Sequence, residues 1–143
     1  MGLGDFRYDA LRCGLHASTL QRRYPHAEIS MSLPRLRPFI NNDDTKISVT
    51  ETQLLQVSLA YRLFMPYAGQ TISTREVPRF RDGIIGISAT KMSAGVSVGI
   101  GEHSGETKGD GQFKISDPRS LDEILESLRS NGMQPVMNDY VRT

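Results

Sequence analysis

The sequence predicts an α/β fold built on a short parallel sheet, and three observations predict it. The hydrophobic period switches repeatedly between helix-like and strand-like along the chain, the mark of alternating elements and a parallel sheet. Three β-prone runs end in Ser-headed turns: Ser32-Leu33-Pro34-Arg35, Ser73-Thr74-Arg75-Glu76 and Ser93-Ala94-Gly95. The length of 143 residues suits one domain but falls short of the about 250 residues and eight strands of a complete β/α barrel. About three parallel strands with flanking helices would leave two raw edges and half-covered faces. The expectation is therefore the C-terminal portion of a (β/α) TIM-type barrel, residues 1–143 forming a single domain whose N-terminus reads as an interruption.

Four helices and three strands follow in order. The first helix runs from about Asp5 to Arg23, with Ala10, Cys13, Ala17, Leu20 and Tyr24 recurring at steps of three and four along one face, until Pro25 ends it. Ala27 to Ser32 is a short strand. Thr50, three residues before Gln53, forms a capping-box signal and opens a helix with Leu54, Val57, Tyr61 and Phe64 inward; Pro66 stops it. Gln70 to Thr74 is a β-branched strand, and a short helix starts at Pro78 with Phe80, Ile84 and Ile87 on one side. Thr90 to Ser93 is the third strand. From Gly95 to Gly111 lies a polar loop with six glycines, longer than ordinary connections and so expected near function. Ser120 and Glu123 make a second capping box. The last helix carries Leu121, Ile124, Leu125 and Leu128 as its buried stripe until Gly132, and Gln134 to Tyr140 is a terminal tail or strand.

Composition removes several classes. Seventeen basic and sixteen acidic residues leave a net charge of +1, and no Lys/Arg block stands out, so a nucleic-acid partner has no electrostatic support. No apolar stretch approaches the roughly 18 residues of a membrane span, and the N-terminus is no signal peptide. No membrane role is expected, and the expected compartment is the cytoplasm. The single cysteine, Cys13, excludes an internal disulfide and any Cys-only metal or iron–sulfur site made by this chain alone. His16 and His26 have no metal-like spacing, and Gly99-Ile100-Gly101 lacks the following helix that a phosphate cradle needs. No metal is expected.

The strand-end turns would gather two arginines, a glutamate and several hydroxyls around one crevice, because the carboxyl ends of parallel strands face one side. With them stand Phe6-Arg7-Tyr8-Asp9-Ala10-Leu11, His16, the run from Ser32 to Pro38, Phe80-Arg81-Asp82, Gln112-Phe113, Asp117-Pro118-Arg119-Ser120 and Gln134-Pro135-Val136. Together, in order and spacing, these resemble the C-terminal part of the 2-iminoacetate synthases, the tyrosine lyases of thiamine biosynthesis. The resemblance covers essentially the whole chain. It falls in the region shared with biotin synthase, the biotin and thiamin synthesis associated domain of a radical S-adenosylmethionine barrel.

The resemblance implies a carbon–carbon lyase. In the family, a [4Fe-4S] cluster on a Cys-x3-Cys-x2-Cys loop cleaves S-adenosylmethionine, the resulting radical abstracts hydrogen from tyrosine, and the Cα–Cβ bond breaks to give dehydroglycine and p-cresol. The sequence lacks that loop, so the chain alone is expected to bind no cluster and to be inactive, and Cys13 is expected in the core. A partner is then implied: the missing N-terminal barrel half, or a further copy of the chain. One alternative is a non-catalytic relic or structural module. Another is a fragment of the related tyrosine lyase that matures [FeFe]-hydrogenase, which shares the Ser-Thr-Arg-Glu and Ser-Ala-Gly turns but continues into a cysteine-rich tail; a sequence ending in Val141-Arg142-Thr143 favours the thiamine enzyme.

Within that resemblance the site candidates are Arg75, Ser93, Glu76 and Arg35. Arg75 offers forked donors to the tyrosine carboxylate, or else pairs with Glu76 or Asp82. Ser93, on the neighbouring strand end, is placed to meet the same head group. Glu76 either orients Arg75 or accepts from the substrate amine. Arg35 and Arg37 meet S-adenosylmethionine or a carboxylate, or pair with the Asp43-Asp44 loop. Ser73 and Thr74 have a second reading as caps of the next helix. His103 sits in the glycine loop, where Gly101-Glu102-His103 departs from the family's Gly-Gly-Tyr or Gly-Gly-His.

Overall fold

A computed structural model of the chain describes residues 1–2, 4–36, 49–95 and 115–137. Seven elements occur among them: α1 (Phe6–Arg23), β1 (Ser30–Ser32), α2 (Glu51–Phe64), β2 (Gly69–Ile72), α3 (Pro78–Ile85), β3 (Lys91–Met92) and α4 (Leu121–Ser130). The strands form one parallel sheet in the order β1-β2-β3. This is the expected α/β arrangement of three parallel strands and four helices. Arg37, Asp43, Asp44, Gly99 to Gly101, His103, Gln112 and Phe113 lie outside the described residues, as does the tail beyond Met137.

Both capping boxes form. The Thr50 side chain accepts from the Gln53 amide while Gln53 reaches back to the Thr50 amide, and Ser120 and Glu123 repeat the arrangement at α4. At the far end of α4, Gly132 adopts φ +74°. The amides of Gly132 and Met133 donate to the carbonyls of Arg129 and Leu128, which is the Schellman pattern that closes a helix. α3 opens with Pro78 at its first position behind Val77, which offers no side-chain cap. Ser73 and Thr74 therefore do not cap α3.

Strand register separates the two faces of the sheet. Met31 pairs with Gln70 and Ile72 with Met92, and Met31, Gln70 and Ile72 are buried. Ser32, Thr71 and Lys91 pair across the other face, which is open and lined by small hydroxyls and one lysine. Core residues Leu54, Val57 and Tyr61 of α2, Phe80 and Ile84 of α3, and Ala10 and Ala17 of α1 join Met31, Leu33 and Ile72 in one cluster on the covered face. The buried Gln70 is satisfied there: Ser58 donates to its Oε1 at 2.7 Å, and its Nε2 donates to the Ser58 carbonyl at 3.1 Å.

α1 buries only part of the expected face. Ala10, Gly14 and Ala17 are its buried residues, while Cys13 and Tyr24 are exposed. The reason is close approach. The Tyr61 hydroxyl donates to the Ala10 carbonyl at 2.5 Å, and a Cβ at Gly14 would stand 3.0 Å from the Tyr61 ring. Small residues thus win the interface over larger apolar ones. Phe64 and Ile87, expected inward, are exposed, because α2 ends at Phe64 and Ile87 lies past the end of α3. In α4 only Ile124 is buried, and Leu121 is exposed.

Candidate functional site

All three Ser-headed turns sit at the carboxyl ends of the strands, and the four candidate side chains divide between the two faces of the sheet. Along the segment after β2, Thr74 and Glu76 are buried while Ser73 and Arg75 are half-buried, continuing the alternation of the strand. Glu76 is 1% exposed and Arg35 4%. Arg35 donates Nε to Glu76 Oε1 at 2.9 Å and Nη2 to Oε2, and its Nη1 donates to the Val49 carbonyl at 2.9 Å. The two residues thus form a forked, buried pair joining the ends of β1 and β2. A carboxylate and a guanidinium buried together satisfy one another, at the cost of desolvation.

Arg75 and Ser93 are placed otherwise. The Arg75 amide donates to Ser73 Oγ at 3.4 Å inside the turn closed by the Glu76 amide on the Ser73 carbonyl. Asp82, one of its two expected ion partners, is held by Arg119 in a forked pair at 2.9 and 3.0 Å. Ser93 Oγ accepts from the Thr74 amide at 3.2 Å and donates to the Ile72 carbonyl at 3.4 Å. Its hydroxyl is therefore oriented by two backbone groups of β2 and its turn.

A second charged cluster, absent from the expectations, lies beside this turn. Arg81 and Asp117 are fully buried. Arg81 donates Nη1 to Asp117 Oδ2 and Nη2 to the Ser93 carbonyl, and its Nε has no partner among the described residues. Arg119 donates to both Asp117 oxygens as well as to Asp82. Burial pushes the Asp117 carboxyl up, but the hydrogen bonds from Arg119 and the charge of Arg81 outweigh it and hold it below the ordinary range. Burial lowers Arg81 from its usual value, while Asp117 and Asp82 raise Arg119. The signal for Arg81 was present in the sequence. It lies four residues after Val77 and three before Ile84, on the apolar stripe of α3, where an arginine requires a buried partner.

Among the described residues, no group of three His, Cys, Asp or Glu side chains is arranged to hold a metal ion. A cysteine-bound iron–sulfur cluster does not fit this chain, whose one cysteine stands exposed on α1. No described helix is long and apolar enough to cross a membrane.

A three-stranded parallel sheet, hydroxyl-bearing on its open face and braced by buried arginines at its strand ends, makes this an α/β protein with the four candidate side chains at the carboxyl edge of the sheet. The chain belongs to the Biotin and Thiamin Synthesis associated domain family, whose model matches residues 32–134. It is 32% identical over 141 residues to the 2-iminoacetate synthase of Salmonella typhimurium, covering 98% of this chain and 37% of that protein. The Escherichia coli 2-iminoacetate synthase is 33% identical over the same share. Two solved structures of the [FeFe]-hydrogenase maturase HydG also superpose. One matches with a TM-score of 0.79 at 34% identity, covering 92% of this chain and 29% of that one. The other, from Carboxydothermus hydrogenoformans, gives 0.78 at 31%, covering 93% and 30%. The chain thus spans little more than a third of its curated relatives and matches their C-terminal region.

Proposed function

We propose that this chain is the substrate-binding part of a radical S-adenosylmethionine tyrosine lyase, which cleaves the tyrosine Cα–Cβ bond to 2-iminoacetate and p-cresol for the thiazole of thiamine. Arg75 grips the carboxylate of tyrosine, and the Ser93 hydroxyl meets the same head group. Arg35 and Glu76 hold the ends of β1 and β2 in register beneath them. The observation that carries this reading is the division of the four side chains: Arg75 and Ser93 stand half-buried at the carboxyl ends of β2 and β3, whereas Arg35 and Glu76 are buried against one another. A guanidinium at such an edge suits a carboxylate ligand.

The same reading takes the three strands as the last three of a (β/α) barrel. Support comes from the polar open face, from the outer edges of β1 and β3, and from the superposition on less than a third of the HydG chain. The partner is then a polypeptide supplying the remaining strands and the Cys-x3-Cys-x2-Cys loop, since the chain holds no cluster of its own. Its compartment in this reading is the cytoplasm.

Calorimetric titration of the chain with tyrosine tests the site. Arg75→Ala is expected to weaken binding by about tenfold or more, the value of one charge-assisted pair, and affinity that survives the change rejects the assignment. Co-expression with a polypeptide carrying the cluster loop should restore p-cresol formation. No p-cresol, with both chains folded and the cluster loaded, points to a non-catalytic relic.

The likeness to HydG supports a second reading, a fragment of the hydrogenase-maturing lyase, at 34% identity against 32% and 33% for the thiamine enzymes. Complementation with the cluster-bearing polypeptide co-expressed separates the two. The thiamine reading expects thiamine-independent growth of a synthase-deficient host, and the maturase reading expects recovery of hydrogenase activity instead.

A further inference from the structure

We propose that Arg81 is a positioning residue that fixes Ser93 in the amino-acid site, acting through a closed circuit with Thr74 and Asp117. The inference rests on the reading above, in which Ser93 meets the substrate, and it adds a residue that does not itself touch substrate. The circuit runs through named atoms. Ser93 Oγ accepts from the Thr74 amide at 3.2 Å. The Thr74 carbonyl accepts from the amides of Ser116 and Asp117, both at 3.0 Å. The Asp117 carboxylate accepts from Arg81 Nη1, and Arg81 Nη2 returns to the Ser93 carbonyl. Three separate stretches of chain, the turn after β2, the turn after β3 and the segment before α4, are thereby locked to one another at the carboxyl ends of the strands.

A stability role alone explains this arrangement poorly. A buried ion pair stabilises little more than apolar side chains of similar volume, because desolvation offsets the attraction. What a hydrogen-bonded charged cluster supplies is a single geometry. Here that geometry fixes both ends of one residue, the Ser93 carbonyl by Arg81 and the Ser93 hydroxyl by Thr74. The outer pair reinforces it, since Arg119 clamps Asp117 and is itself forked onto Asp82. A preorganised donor or acceptor binds its ligand without the cost of ordering it.

The experiment uses the whole chain and two readouts, amide hydrogen exchange by NMR and tyrosine affinity, for Arg81→Lys, Ser93→Ala and the double variant. Lysine keeps a charge for Asp117 but lacks the second arm that reaches the Ser93 carbonyl. Exchange at Thr74 and Asp117 is expected to accelerate about tenfold or more in Arg81→Lys, while Gly69, whose amide bonds Ile29 at the N-terminal side of the sheet, stays unchanged. Each single variant should weaken tyrosine binding about tenfold, and the double variant no further than either, the non-additivity expected of residues acting as one unit. Unaltered exchange at Thr74 overturns the proposal, as does intact tyrosine affinity in folded Arg81→Lys or an additive loss of about a hundredfold in the double variant. A wild-type chain that binds no tyrosine overturns the functional reading and with it the positioning role, whereas the exchange result still reports on the circuit by itself. Should Arg81→Lys not fold, Asp82→Asn, at the half-buried edge of the cluster, is expected to give the same pattern at lower amplitude, and unchanged Thr74 exchange in that variant counts against the proposal.

Discussion

Asp117 accepts from two arginines at once, and its charge state therefore sets part of the stability of the fold. Its carboxyl is held below the ordinary range in the folded protein, so it contributes stability that is present above its unfolded value of about 3.9 and is lost as pH falls through the lower folded value. The expected melting temperature of the wild type owes nothing to Asp117 titration between pH 7 and about 5 and declines below about 4. Asp117→Asn strands a buried arginine and should cost about 3–5 kcal/mol at neutral pH. The gap between variant and wild type should narrow in acid, and a gap that stays constant down to about pH 2 contradicts the linkage. This residue was visible in the sequence only as part of a resemblance, because nothing local in Asp117-Pro118-Arg119 says that Arg81 lies opposite. By contrast the pairing of Arg35 with Glu76 sits among the residues singled out from sequence as one crevice. What the sequence did not reveal there was the alternation that buries these two and leaves Arg75 and Ser93 at the edge.

Helix starts were the most legible elements, since a capping box is a local signal that needs no tertiary partner. Thr50 and Ser120 cap α2 and α4 as read. Ser120→Ala should destabilise by about 1 kcal/mol. The effect should appear as loss of amide protection confined to the first turn of α4, and uniform loss across the sheet would show that α4 unfolds only with the whole domain. Faces were less legible than starts. Periodicity in α1 picks out Ala10 and Ala17, which are buried, but also the larger Cys13 and Tyr24, which are exposed; packing adds Gly14 instead, because only a small residue fits there. Gly14→Ala puts a methyl group 3.0 Å from Cε1 of the Tyr61 ring, and Tyr61 is tied to Ala10 by its hydroxyl. The ring has little room to withdraw, and a cost of about 1–3 kcal/mol in chemical denaturation is expected from this overpacking despite the better helix propensity of alanine. A stabilised variant would mean that α1 shifts away as a unit. β1 starts later than its β-prone run, at Ser30, and ends where expected, whereas β2 stops at Ile72 because from Ser73 the chain bends into the turn that carries Glu76.

At the scale of the molecule, the three parallel strands leave β1 and β3 each with an edge that has no strand beside it among the described residues. The sheet face opposite the helices is polar, with Ser32, Thr71 and Lys91 in register across it and Lys91 paired with Glu28 at 2.9 Å. Beyond β3 a groove of about 830 Å³ runs along α4, lined by Met92, Ile124, Leu125 and Leu128 among others. The expectation of further strands came from length and strand count, but the character of the open face was not legible, since hydroxyls on short strands read equally as solvent-facing or as barrel-facing. The two readings diverge under one substitution. Thr71 is half-buried on the central strand of the open face, and tyrosine at that position suits a strand. In the isolated chain Thr71→Tyr should change stability by no more than about 0.5 kcal/mol, as a surface substitution does. In a closed barrel the same face is an interior packed by layers of side chains, where added volume is not accommodated. Co-expression with the cluster-bearing polypeptide should then fail to restore p-cresol with Thr71→Tyr while succeeding with wild type. Full restoration by the variant would mean that the hydroxyl face stays open to solvent in the assembled enzyme, and that these three strands do not close into a barrel.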